Sequence, residues 1–105
     1  MNMRNAMSAQ ELYEDLAEEQ LREPEVSLGR ALSNNVLKAN GKIFAFLKGD
    51  RLVVKLPAAR CGMLLAAGAV PFESGGRKMR EWVAVADQAG WPDLMDEARI
   101  HVAGK

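Results

Sequence analysis

Two short turn sequences, Asn40-Gly41 and Gly49-Asp50, constrain the fold of this chain more than any other feature. They separate three apolar runs within residues 36–56, VLKANGKIFAFLKGDRLVVKL. Asn-Gly favours a type I′ turn, because both central residues of that turn need a positive φ. Gly49-Asp50 is a second turn of weaker preference. The segment is therefore predicted to form a three-stranded antiparallel meander.

The two turns also predict which residues of the meander face one another. With two-residue loops, Leu47 lies opposite Leu52, and the rest of the register follows from that pair. Because side chains alternate along a strand, every second residue belongs to the same face, and one face is predicted to be the core face. Its members are Val36, Ile43, Ala45, Leu47, Leu52, Val54 and Leu56.

The opposite face of the meander combines apolar and basic side chains. An open antiparallel sheet usually has a polar outer face, so an apolar outer face predicts contact with a helix or with another subunit. The candidate partner or dimer surface consists of Leu37, Phe44, Phe46 and Val53. The candidate anion-binding face consists of Lys38, Lys42, Lys48, Arg51 and Lys55.

Helices are predicted on both sides of the meander in the sequence. Ser8-Ala9-Gln10-Glu11 is a capping box that begins an amphipathic helix, which Pro24 ends. A second helix is predicted over residues 58–67, with Cys61, Leu64 and Leu65 facing inward. Trp91-Pro92 begins the last helix, because proline suits the first helical turn.

Further strands complete the predicted fold. Residues 26–32 form a strand or an extended lead-in, and residues 79–85 form a strand with Trp82 and Val83 on opposite faces. The glycine-rich loop at residues 73–78 lacks the Walker spacing and is predicted to be a hairpin tip rather than a phosphate cradle. The fold class is predicted to be α+β: an antiparallel sheet in the order helix, three or four strands, helix, one or two strands, helix.

Length and composition predict one domain in the cytoplasm. The chain has 105 residues, of which 49% are hydrophobic and 27% charged, so it can bury an ordinary core. The domain is predicted to span residues 8–103, with residues 1–7 as a disordered tail. There is no signal-like apolar segment at the start and no apolar run long enough to span a membrane. A single cysteine fits a reducing compartment.

The zero net charge conceals three segments of opposite sign. Residues 1–25 hold seven acidic and two basic residues, residues 26–80 hold two acidic and ten basic residues, and residues 81–105 hold five acidic and two basic residues. The interpretation preferred from the sequence is that acidic helices lie near the basic sheet, within one chain or in a dimer. The alternative is a basic surface for an anionic ligand.

No set of residues predicts catalysis or a metal site. His101 is the only histidine and lies off the apolar stripe of the last helix, so it is predicted to face solvent. Cys61 lies on an apolar helical face and is predicted to be an inert core residue. One Cys and one His far apart in sequence do not supply the ligands of a metal site. The chain is therefore predicted not to be an enzyme and to need no cofactor.

Several segments, in order, resemble one family. "NGKIFAF" at residues 40–46 and "GDRLVVKLP" at residues 49–57 resemble the core of the TfoX/Sxy N-terminal domain family. "AAG" at residues 66–68, "PF" at 71–72 and "MREWV" at 79–83 are similar to further elements of that family and of its short stand-alone members. The resemblance covers about residues 10–103. Residues 30–35, RALSNN, depart from it, because relatives commonly carry a glycine-bearing stretch there.

The resemblance implies a small, often dimeric α+β domain with a secretion-chaperone-like arrangement. Named members of the family regulate competence for DNA uptake, and the longer ones carry a second, C-terminal domain that this chain lacks. The leading hypothesis is therefore a regulatory or protein-interaction module that binds itself or another protein. The alternative hypothesis is a nucleic-acid-binding module that uses the basic face of the meander.

Overall fold

The computed structural model describes residues 8–31 and 34–104 of the chain. Its helices are α1 (Ala9–Gln20), α2 (Ala58–Ala66) and α3 (Trp91–Ala103), the last preceded by a 3-10 turn at Gln88–Gly90. Its strands are β1 (Val26–Ala31), β2 (Asn34–Ala39), β3 (Lys42–Lys48), β4 (Arg51–Lys55), β5 (Val70–Ser74) and β6 (Arg77–Val85). The fold is α+β, as predicted, with an element order that matches the prediction. The predicted tail, residues 1–7, lies outside the described residues.

All six strands belong to one antiparallel sheet in the order β1-β2-β3-β4-β6-β5. Helices α1 and α3 and the buried Cys61 of α2 pack on one face, which we call the helix face. The opposite face, which we call the outer face, has its own cluster of apolar residues, and in the described part of the chain these all come from strands. The sheet thus separates a conventional core from a second apolar layer.

The hairpin turns have the backbone conformations that their sequences favour. Asn40 and Gly41 have φ values of 51° and 82°, as a type I′ turn requires, and Ala39 pairs with Lys42 across it. The predicted pairs Leu47–Leu52 and Ala45–Val54 are present between β3 and β4. The predicted hairpin tip at residues 73–78 is also present, with Ser74 paired with Arg77 across two glycines of positive φ.

A β-bulge in β3 changes the predicted faces of the first hairpin. Leu37 pairs with Ala45 but the next residue, Lys38, pairs with Ile43, so Phe44 is an extra residue in β3. An extra residue reverses the alternation beyond it. Phe44 therefore points into the helix-face core together with Ala45, and Ile43 points to the outer face.

The same bulge corrects the prediction for β2. Without it, Val36 would lie opposite Ala45 and share the core face. With it, Val36 pairs with Phe46 on the outer face, and Leu37 is fully buried on the helix face. The predicted sides of four residues, Val36, Leu37, Ile43 and Phe44, are therefore wrong, and one inserted residue accounts for all four.

Helix α1 begins with the predicted capping box and packs through its apolar side. The Ser8 Oγ accepts from the Glu11 N–H at 3.1 Å, and the Glu11 carboxylate accepts from the Ser8 N–H at 3.0 Å. Tyr13, Leu16 and Ala17 are buried in the helix-face core. Burial raises the pKa of the Tyr13 phenol to about 12.

Helices α2 and α3 cover the other end of the helix face. Trp91 is fully buried at the start of α3, and its indole N–H donates to the Val85 carbonyl at 2.9 Å. Arg60 of α2 and Glu97 of α3 form a bidentate ion pair at 2.9 and 3.1 Å. The prediction that Leu65 faces inward is wrong: Leu65 is an exposed apolar residue, because the short helix buries only the narrow side that carries Cys61 and Leu64.

A polar network joins the first and last helices. The buried Gln20 amide donates to Asp96 at 2.7 Å and accepts from Arg99 Nε at 2.9 Å. Arg99 also contacts the Glu25 carboxylate at 3.1 Å. Each polar atom of the Gln20 side chain has a partner, so its burial carries no cost of an unpaired group.

Candidate functional site

The candidate site is an aromatic cluster on the outer face, at the junction of β3, β4 and the β5–β6 hairpin. Phe46, Phe72 and Trp82 contact one another with ring centroids 5.6 to 6.1 Å apart. The Phe46 and Phe72 rings are nearly perpendicular, at 77°, which is a favourable edge-to-face arrangement. The β5–β6 hairpin, which continues the sheet beside β4, supplies two of the three rings.

Two lysines lie over the aromatic rings. Lys48 Nζ is 5.3 Å from the centroid of Phe72, and Lys55 Nζ is 5.9 Å from the centroid of Trp82. Both distances are within the range of cation–π attraction. The ammonium groups are thus held beside the apolar cluster, where they can meet a carboxylate without leaving the aromatic surface.

A pocket of about 200 Å³ opens between the rings. Phe46, Phe72 and Trp82 contribute to its wall, and its remaining lining residues are Val36, Ile43, Ser74 and Met79. Met79 is 39% exposed although it is one of the larger apolar side chains. Ser74 is the one polar residue of the lining, so the pocket is suited to an apolar group.

The predicted partner surface is only partly on this face. Phe46 and Val53 belong to the outer cluster, but both are buried, in part by the chain's own β5–β6 hairpin. Leu37 and Phe44 are fully buried beneath the helices and cannot contact a partner. The prediction of a four-residue exposed apolar surface is corrected accordingly, and the opening lies instead beside Phe46.

Four of the five residues of the predicted basic face project from the outer face. Lys48 and Lys55 lie over the rings, Arg51 pairs with Lys48, and the Lys38 side chain lies across Gly29 of β1. Lys42 does not share this face, because it pairs with Ala39, whose side chain is in the helix-face core. The β-bulge again accounts for the difference.

Helix α1 and the lysines over the aromatic rings lie on opposite sides of the sheet. Helix α1 packs on the helix face and exposes Glu14, Glu18 and other carboxylates to solvent. The ion pairs found among residues 8–31 and 34–104 involve Arg60, Arg99 and His101, and none joins an α1 carboxylate to a lysine of the outer face. Acidic helices do lie near part of the basic segment, because Arg60 of that segment pairs with Glu97 of α3. Lys48 and Lys55 of the outer face, by contrast, lie on the side of the sheet away from α1.

Phe72, Trp82 and Met79 are members of the site that local sequence patterns hardly indicate. The predicted alternation of residues 79–85 placed Trp82 on one face of its strand, and that signal was correct. What the sequence does not contain is the pairing of β6 with β4, which brings Trp82 beside Lys55. Long-range pairing of this kind is not encoded in any local turn.

Cys61 and His101 do not form an activated nucleophile. The His101 side chain extends from α3 toward β6, where its Nε2 is 3.7 Å from the Glu81 carboxylate. Only 16% of that side chain is exposed, so the prediction that it faces solvent is wrong. Burial, above all, raises the pKa of the Cys61 thiol, whose Sγ contacts the Leu56 carbonyl at 3.6 Å. A raised thiol pKa keeps the sulfur protonated and unreactive.

Residues 8–31 and 34–104 contain no group of three or more His, Cys, Asp or Glu side chains placed to hold a metal ion. No helix within those residues is long and apolar enough to cross a membrane. In comparisons with known proteins, no family model, no curated protein and no solved structure matches this chain.

Proposed function

We propose that this chain is a non-enzymatic protein-interaction module that binds a polypeptide at the outer-face pocket. The single observation that carries the proposal is the open apolar pocket between Phe46, Phe72 and Trp82, on a sheet face where the described apolar layer contains no helix. Pockets lined mainly by aromatic and apolar side chains are the usual sites of ligand binding.

The size of the pocket favours a side chain over a metabolite. Sites for small molecules and cofactors usually have volumes of about 300–1,000 Å³. A pocket of about 200 Å³ accommodates one or two apolar side chains. Interfaces obtain much of their affinity from such anchoring side chains in desolvated pockets.

The two stacked lysines indicate the charge of the partner. Lys48 and Lys55 lie beside the cluster, and Arg51 extends the positive charge along the same face. Opposite charges around an apolar anchor increase the association rate and the specificity of a complex. The expected ligand is therefore an apolar side chain flanked by acidic residues.

The regulatory role and the cytoplasmic location belong to the same proposal. The regulatory role is based on the resemblance to the TfoX/Sxy N-terminal domain family, and the cytoplasmic location is based on the single cysteine, which fits a reducing compartment. A module that regulates by binding needs a surface such as this pocket and needs no catalytic group.

Selection from a displayed library of random peptides tests the proposal. We expect the protein to enrich peptides that contain an aromatic or aliphatic residue flanked by Asp or Glu. Met79→Glu places a carboxylate at the pocket and is expected to weaken binding of those peptides by about tenfold or more, because it opposes both the anchor and its acidic neighbours.

Met63→Glu is the matched control for that variant. Met63 is 64% exposed on α2, which packs on the helix face of the sheet. Its replacement is the same methionine-to-glutamate substitution, made on the face opposite the pocket. Enrichment that survives Met79→Glu, or that falls equally in both variants, would contradict the assigned site. Failure to enrich any peptide would contradict the proposed function.

Nucleic-acid binding is the second candidate, and the four basic residues of the outer face favour it. Single-strand binding usually relies on open aromatic faces for base stacking. Here the rings pack against one another, and lysines occupy a face of Phe72 and of Trp82. Salt-sensitive binding of an oligonucleotide that Met79→Glu abolishes and Met63→Glu preserves would replace the peptide proposal.

A further inference from the structure

The two edges of the sheet differ in how they are protected against pairing. Natural proteins blunt exposed edge strands with proline, bulges or charges that interrupt the ladder. The β5 edge has both Pro71 and a bulge between Pro71 and Glu73. The β1 edge, VSLGRA, has no proline and pairs with β2 in an uninterrupted register.

The open edge of β1 presents the backbone groups of Leu28 and Arg30. The Asn40 N–H donates to the Glu25 carbonyl at 2.9 Å, which makes residues 25 and 40 a hydrogen-bonded pair. Bonded and non-bonded pairs alternate in an antiparallel ladder, so Ser27 and Gly29 bond with β2. The N–H and C=O groups of Leu28 and Arg30 consequently point away from β2, toward the edge.

A groove runs beside this edge, between β1 and α1. Its volume is about 400 Å³, and Leu28, Arg30, Leu21 and the acidic pair Glu14 and Glu18 contribute to its lining. Leu28 is 58% exposed and Leu21 is 36% exposed, so both apolar side chains are open to solvent beside the groove. Strand addition uses the backbone groups of an open edge together with pockets for alternate side chains of the added strand.

We infer that β1 of a second copy of this chain pairs antiparallel with β1 along this edge, so that two sheets become one continuous sheet about a twofold axis. A twofold interface brings the same patch of each copy together and must be self-complementary. The β1 strand meets that condition. Its exposed Leu28 can pack against the apolar side chains of the groove, and its positively charged Arg30 can approach the acidic side chains of α1.

The register of the pairing follows from the backbone groups. If Leu28 pairs with Leu28 of the second copy, Val26 lies opposite Arg30 of that copy. The chain turns from α1 into β1 over residues 21–25, so the end of α1 lies beside Val26. Arg30 of the second copy is therefore brought toward Glu18, and the two Leu28 side chains cover each other.

Sedimentation velocity over a range of protein concentrations tests this inference. We expect the full chain to form a dimer whose dissociation constant rises about tenfold or more in Leu28→Glu, because a carboxylate then enters the acidic groove. Ile100→Glu is the matched control, since Ile100 is 62% exposed on α3 and receives the same change. It is expected to leave the dissociation constant unchanged.

A charge exchange provides the second variant. Arg30→Glu is expected to weaken the dimer, and addition of Glu18→Arg is expected to restore it. A chain that is monomeric at the highest concentrations would overturn the inference. A dimer of unchanged affinity in Leu28→Glu would overturn it as well, as would failure of Glu18→Arg to rescue Arg30→Glu.

Hydrogen exchange gives a readout at the edge itself. The Leu28 and Arg30 amides are expected to become protected as the concentration rises, while those of Ser27 and Gly29 are protected throughout. Met79→Glu is expected to leave the dimer intact, because its pocket is on the outer face. Loss of peptide binding with retention of the dimer, or the reverse, therefore distinguishes the two proposals.

Discussion

Val54→Asp is expected to unfold the domain. Val54 is fully buried on the helix face, between Ala45 of β3 and Val83 of β6, and its described neighbours there are apolar. A carboxylate at that position has no partner, and burying it costs about 4–5 kcal/mol or more. A loss of that size equals the whole stability of a domain at the lower end of the usual range of about 5–15 kcal/mol. Thermal denaturation followed by circular dichroism measures the loss.

Lys55→Asp is the control for that variant. Lys55 is the next residue of the same strand, but it projects from the outer face and lies over the Trp82 ring. Its replacement removes one cation–π contact, worth about 1 kcal/mol at an exposed site. Val54→Asp should therefore lower the melting temperature by about 20 °C or more, and Lys55→Asp by only a few degrees. Equal shifts in the two variants would contradict the register of β4.

Phe44→Ala is expected to destabilise the domain by about 3–5 kcal/mol, because it removes a fully buried ring and leaves a cavity beneath the helices. Ile43→Ala is expected to cost only about 1–2 kcal/mol, because Ile43 is half-buried at the edge of the outer pocket, where solvent can fill the space. Denaturant unfolding of the two variants measures both free energies.

The comparison of Phe44 with Ile43 is a direct test of the β-bulge. A regular hairpin would place Ile43 in the core and Phe44 outside, so the two costs would be reversed. A larger loss for Ile43→Ala than for Phe44→Ala would mean that β3 runs without an inserted residue. Val36 and Ile43 would then lie on the helix face instead of the outer face, since their positions depend on the bulge.

Local turn chemistry explains which parts of the fold the sequence predicts. Asn40-Gly41 and Gly75-Gly76 have a strong preference for positive φ, and the structure places tight hairpins at both. The Ser8 capping box and Pro92 are similarly local signals, and α1 and α3 begin where these predict. Each of these features depends on residues only a few positions apart.

The bulge was not predictable in this way. The sequence of β3, KIFAFLK, is compatible with a regular strand and with a bulged one. Ile43 and Phe44 are both large and apolar, so either of them could face the core. The choice between them depends on how β3 fits β2 and the helices above it, which is a property of packing. The error then carried into the predicted site, because it moved Leu37 and Phe44 from the partner surface into the core.

The site depends still more on distant parts of the chain. Phe46 comes from β3, whereas Phe72 and Trp82 come from a hairpin that follows α2, and only the pairing of β4 with β6 brings them together. The sequence identified the lysines as a basic face but could not show that two of them lie over aromatic rings. The basic and apolar character of the outer face was predictable from the sequence, but the pocket that these residues form together was not.

The claim that the outer-face pocket binds a polypeptide can be checked on the two tryptophan indole N–H signals in a ¹H–¹⁵N spectrum. Trp82 lines the pocket, and Trp91 is fully buried on the helix face with its N–H bonded to Val85. On titration with the most enriched peptide, the Trp82 signal is predicted to move and saturate while the Trp91 signal stays in place. A titration that leaves Trp82 unmoved would contradict the claim.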